Sequence, residues 1–131
     1  MNDEIKSWLT FAEENHRISV LARENRLFNS CLQNAQQAAE KSLKALCLAR
    51  GLALKRTHSI RELRDDLKRT GLELDLSDDD CELLDSIYLP SKYPLGSALP
   101  SFEPDDQIAR RCLEIAGKIL ALAKKLLLKA Y

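Results

Sequence analysis

Apolar residues recur at three- and four-residue spacing along most of the chain, the period of one helix face. Ile5, Trp8, Leu9 and Ala12, then Ser19 and Val20, mark a first helix over residues 3–24. Asp3 and Glu4 suit its electropositive start. His16 falls on the same stripe and is expected at the edge of the core, with a hydrogen-bond partner. A second helix is expected over 27–50, with Phe28, Leu32, Ala39, Leu43 and Leu46 as its apolar stripe. Beside them runs a row of small residues: Cys31, Ala35, Ala38, Ser42, Ala45 and Ala49. Small side chains admit a neighbouring helix closely, so this helix should be central and contacted on more than one side. Gly51 reads as its C-terminal cap.

After a short connection, Thr57 reads as the N-cap of a third helix reaching Arg69, with His58 in the first turn. Ile60, Leu63 and Leu67 face inward, and Thr70-Gly71 ends the helix. Ser77 reads as another N-cap, followed by Asp78, Asp79 and Asp80. The helix it starts carries Leu83, Leu84 and Ile87 and should stop before Pro90. Residues 90–104 hold all four prolines and read as one long irregular loop, a type that often carries function. A last helix is expected over 105–130, with a buried stripe of Ile108, Cys112, Ile115, Ile119, Leu122 and Leu126. Lys124, Lys125 and Lys129 suit its electronegative end. The expected fold is all-α: an up-and-down bundle of four to five helices with a long proline-containing loop before the last helix.

Composition agrees and narrows the choice. A length of 131 residues fits one domain over 1–131, large enough to bury a core without staples. Apolar residues at 45% and charged residues at 31% describe a globular chain. Twenty basic and twenty acidic residues cancel, so the basic excess of a strong phosphate binder is missing. The charges are nonetheless segregated. Residues 40–69 hold nine Lys/Arg and four Asp/Glu, whereas 70–91 hold seven Asp/Glu and no Lys/Arg. Two solvated helix faces that attract each other account for this most simply. The other readings are a basic face for a phosphate ligand or a surface for self-association.

Cys31, Cys47, Cys81 and Cys112 form no C-x-x-C pair, and neither histidine stands at metal-ligand spacing. They read as small core residues in a reducing compartment. Neither a metal nor another cofactor is expected. No continuous apolar stretch suggests a signal peptide or a membrane span, so the cytoplasm is the expected location.

Three blocks then point to a family. Residues 34–46, NAQQAAEKSLKAL, resemble the Q-Q-A-A-E-K-x-x-K-A signature in the second helix of small prokaryotic HEPN domains. Thr57-His58-Ser59-Ile60 resembles the T-H-D-L-type start of that family's next helix. Tyr88-Leu89-Pro90-Ser91-Lys92-Tyr93-Pro94 is similar to its Y-x-P-S-R-Y-P segment. The resemblance implies a helical bundle that forms homodimers. It also implies a partner, a minimal nucleotidyltransferase, in a toxin–antitoxin-like pair, and a nucleotide-binding role.

Other branches of the family are metal-independent ribonucleases that carry an Arg followed after four to six residues by a His. A histidine there serves as general acid or base on a ribose hydroxyl, and the arginine stabilises the charge that develops. This chain departs from the pattern, since neither His16 nor His58 has an Arg at that offset. The nearest case, Arg50 and His58, has seven residues between and Gly51 inside them. A non-catalytic binding or interaction module is therefore expected, with an RNA-cleaving toxin as the alternative.

The candidate ligand contacts are Lys41, Lys44, Arg56, His58, Lys92 and Tyr93. Lys41 and Lys44 lie three apart on a helix, so they share a face. Arg56 and His58 stand where helix N–H groups favour anions. Lys92 and Tyr93 offer a charge and a ring for stacking a base. The simpler reading leaves the two lysines solvated, has His58 cap its helix, and has Tyr88 and Tyr93 pin the loop.

Overall fold

A computed structural model describes residues 2–92 and 103–128, except the side chains of 89–92. It contains five helices: α1 (Asp3–Glu24), α2 (Phe28–Ala49), α3 (Ile60–Arg69), α4 (Asp78–Lys92) and α5 (Asp106–Leu128). No strand occurs among the described residues. The all-α expectation holds.

α2 is the hub and packs against each of the other four helices. Leu32, Leu43 and Leu46 fill the spaces around it, while Cys31, Ala35, Ala38, Ala39 and Ala45 are fully buried beneath its neighbours. With almost no side chain there, α1 and α5 approach the α2 backbone closely. Cys31 illustrates the closeness: its backbone carbonyl accepts a 2.8 Å hydrogen bond from Ser19 Oγ of α1. α5 runs antiparallel to α1, with Arg23 bonded to Asp106 at one end and Lys124 near Glu13 towards the other. α3 and α4 pack on each other and on α2. The basic and acidic stretches meet between them, where Asp78 pairs with both Arg61 and Arg64.

The helix ends follow local chemistry. α1, α2 and α3 all end in the same double hydrogen bond, in which the amide two residues past the C-cap reaches back to the last turn. The left-handed residue this requires is Gly51 after α2 and Gly71 after α3, but Arg26 (φ 59°) after α1. Arg26 lies over the Phe28 ring, 5.1 Å from its centroid. Asp105 Oδ1 and Ser77 Oγ cap α5 and α4 by accepting from the amides of Ile108 and Asp80.

Four expectations need correction. The N-cap of α3 is Ser59, whose Oγ accepts from the Glu62 amide; Thr57 and His58 precede the helix. Thr57 Oγ1 instead accepts from the Ser59 amide and donates to Glu62 Oε2, a relayed form of the capping box. α4 continues through Pro90 to Lys92. Proline in the last turn sacrifices one backbone hydrogen bond and leaves the preceding turns intact. In α5 the buried stripe drifts by one position, to Ala123 and Leu127, and leaves Leu126 exposed. His16 lies half-buried with Nε2 against Gly117, and no hydrogen-bond partner for it is found among the described residues. The remainder of the expected loop, from Tyr93 to Phe102, lies outside the described residues.

All four cysteines are free and buried. Burial pushes the Cys47 and Cys81 thiols up to about 11 and Cys112 to about 12, so they act as small apolar residues near neutral pH. No described helix is long and apolar enough to cross a membrane.

Two measurements probe this packing. Ala38→Leu keeps helix propensity nearly constant but adds volume where none is free, so it should lower unfolding free energy by about 1–3 kcal/mol in urea. Burial, and then nearby Lys124, lower the His16 pKa from its ordinary 6.5. The neutral ring is the folded-state form, so its contribution is complete above pH 6.5 and declines as pH falls from there to the lowered value. His16→Gln should therefore flatten the loss of stability that sets in as pH falls below 6.5.

Candidate functional site

Three polar residues spaced by four, Gln36, Glu40 and Lys44, lie along one line of α2 and are all buried. Glu40 is their centre. Its Oε2 accepts from Lys44 Nζ at 3.1 Å, and its Oε1 accepts from Gln36 Nε2 at 3.2 Å. His58 Nδ1 lies 3.1 Å from the same Oε1. An ionised carboxylate only accepts, so the imidazole presents its N–H there and leaves Nε2 on the far side of the ring. Lys44 Nζ also lies over the Trp8 ring, 5.4 Å from its centroid, which brings α1 into the cluster.

His58 is the exposed end of this line, with 44% of its side chain accessible. The Tyr88 ring of α4 stacks on it, with centroids 4.3 Å apart and planes 18° apart. The histidine is therefore oriented at one nitrogen and supported on one face. The segment carrying it is fixed from the other side by Asp85. That carboxylate accepts from the Ile60 amide at 2.6 Å, the Ser59 hydroxyl at 3.1 Å and the Arg61 amide at 3.4 Å. An anion thus already occupies the electropositive start of α3, and it comes from the chain itself. Arg56, Thr57, His58, Ser59, Asp85 and Tyr88 line an open groove of about 360 Å³.

The six expected contact residues divide. Arg56 and His58 come together at the groove. Lys44 is turned into the buried pair with Glu40. Lys41 donates to Asn15 Oδ1 at 2.7 Å, beside the Phe11 ring, and desolvation pushes its pKa down. Both lysines face α1, but only Lys41 reaches solvent. Lys92 ends α4 with its side chain outside the described set, and Tyr93 lies beyond the described residues.

Gln36, Glu40 and Asp85 were not among the expected site residues. The first two left a signal: polar residues at i, i+4 and i+8 on a helix otherwise rich in Leu, Ala and Cys. Asp85 left none, being one of seven acids in its stretch. Among the described residues, no group of three or more His, Cys, Asp or Glu could hold a metal ion.

The fold and this seam define a small helical bundle with a polar line along its central helix and a histidine at that line's end. The HEPN domain model matches residues 5–126, and the chain belongs to the HEPN domain family. Among solved structures it is similar to TT1696 from Thermus thermophilus, with 30% identity and a TM-score of 0.74. That match covers 95% of this chain and 98% of the other. It is also similar to ST0689, an archaeal HEPN homologue, at 25% identity and a TM-score of 0.67, covering 93% and 96% of the two chains. No curated protein matches it.

The Glu40–Lys44 pair sets a stability test. Glu40→Ala leaves a buried ammonium uncompensated and should lower unfolding free energy by about 3–5 kcal/mol. Replacing both members, as Glu40→Leu with Lys44→Met, should cost less than the single change when both are unfolded in urea.

Proposed function

We propose that this chain is a non-catalytic HEPN-type module that binds a nucleotide. In this reading it is a homodimer that works with a minimal nucleotidyltransferase in a toxin–antitoxin-like pair. The supporting observation is the half-exposed His58 ring, stacked on Tyr88 and placed beside Arg56 at an open groove. A stacked ring is a platform for a base, and a guanidinium is a bidentate partner for phosphate. Glu40 and Asp85 hold the segment in place, so little ordering remains to be done on binding.

One observation favours a second reading, a metal-independent ribonuclease. A buried carboxylate that orients an imidazole is the arrangement that prepares a general base. Arg56, two residues from His58, would supply the charge for a phosphorane-like transition state. Against this stands the departure from the family's Arg–His spacing.

Calorimetry with ATP, GTP and a short single-stranded RNA separates the readings. Binding of at least one of these, weakened about tenfold or more by His58→Ala, is the expected result. No affinity for any of the three would sink the nucleotide-binding reading. Cleavage of a structured RNA that disappears in His58→Ala would replace it with the ribonuclease.

A further inference from the structure

The outer face of α1 is unusually apolar. Phe11, Ile18 and Leu21 are 52%, 42% and 53% exposed and follow one another at spacings of seven and three. They continue the line Ser7, Phe11, Glu14, Ile18, Leu21, Asn25, every member of which is exposed. Alternating steps of three and four trace a seam of the kind used by paired helices. Lys41 of α2 reaches its edge, 5.8 Å from the Phe11 ring centroid, but all three apolar side chains stay exposed, and the polar seam around Glu40 is buried on α2.

The charges on α1 are polarised along its length. Residues 3–14 hold four carboxylates (Asp3, Glu4, Glu13, Glu14) and one lysine. Residues 15–24 hold two arginines (Arg17, Arg23) and one glutamate (Glu24). A helix acidic in its first half and basic in its second complements its own copy laid antiparallel. A two-fold axis does this if it crosses α1 near His16, because equal offsets on either side then face each other. In that register Phe11 meets Leu21 of the other copy, and Glu14 meets the turn of Arg17 and Ile18. Apolar pairs and opposite charges coincide in one alignment. A parallel pairing would set like charges together.

We infer that the exposed face of α1 is the surface on which a second copy of this chain docks, antiparallel, about a two-fold axis near His16. This rests on the homodimer reading above and adds the surface and its register. The apolar pairs supply the affinity, and the polarised charges fix the direction.

Sedimentation equilibrium of the whole chain provides the test. The wild type should be a dimer. Leu21→Glu and Phe11→Glu are surface changes that keep the fold, as circular dichroism would check. Each should raise the dimer dissociation constant by about 30-fold or more. Glu14→Arg and Arg17→Glu should each weaken the dimer, and together they should restore it, because both contacts occur twice across the axis. A wild type that is a monomer sinks the homodimer reading and this surface with it. A dimer indifferent to Leu21→Glu and Phe11→Glu overturns only the surface, and the homodimer stands. Two single charge changes that weaken the dimer, with no recovery in the double variant, overturn the antiparallel register.

Discussion

The Glu40 carboxylate is the constraint around which this bundle is organised. It is 3% exposed, in the middle of the most buried helix. A charge in that position is tolerated only when its acceptor capacity is filled. Lys44, Gln36 and His58 fill it, and each comes with a structural consequence. Lys44 is drawn inward against Trp8, which ties α1 to the line. Gln36 Nε2 also lies 3.5 Å from the His58 carbonyl oxygen, so the connection after α2 is held through its backbone as well as its ring. The polar seam thus fixes a segment that would otherwise be an exposed loop.

That arrangement divides labour within the chain. Apolar closeness, provided by the alanine and cysteine row of α2, holds α1, α2 and α5 together. Directional bonds place the segment between α2 and α3: Glu40 from one side, Asp85 from the other. Apolar contact is non-directional and cannot aim an imidazole, whereas a carboxylate with two occupied oxygens can. The region carrying candidate chemistry is therefore held in place mainly by hydrogen bonds.

The fold was legible in the sequence because helical periodicity is local information. The bounds of α1 match the expectation, and those of α2 differ by a single residue at each end. Errors arose where a local rule met a tertiary partner. Thr57 and Ser59 are both acceptable caps, and Glu62 with Asp85 selects Ser59. Pro90 reads as a stop, yet α4 runs on past it to Lys92. The candidate site was only half legible. His58 and Arg56 could be singled out because helix N–H groups favour anions near them, a place that Asp85 itself fills. Lys44 was misread as a solvated charge. Its burial depends on Glu40 and on Trp8, which is 36 positions away in sequence. Asp85 could not be singled out at all, because its role comes from packing between helices.

The double clamp on the connection also bears on how this chain can vary. Leu52 is fixed by its bond to the Cys47 carbonyl, and the stretch from Thr57 to Arg61 is held by Glu62, Glu40 and Asp85. Between them, residues 53–56 are exposed and free of helical pattern. Slack in chain length is therefore confined to about one turn's worth of residues. A change of length there would still deliver the histidine to the same place, since its position is dictated from α2 and α4. The last of those four residues, Arg56, lines the groove. What the groove presents to a ligand and where its histidine stands are thus set by separate parts of the chain.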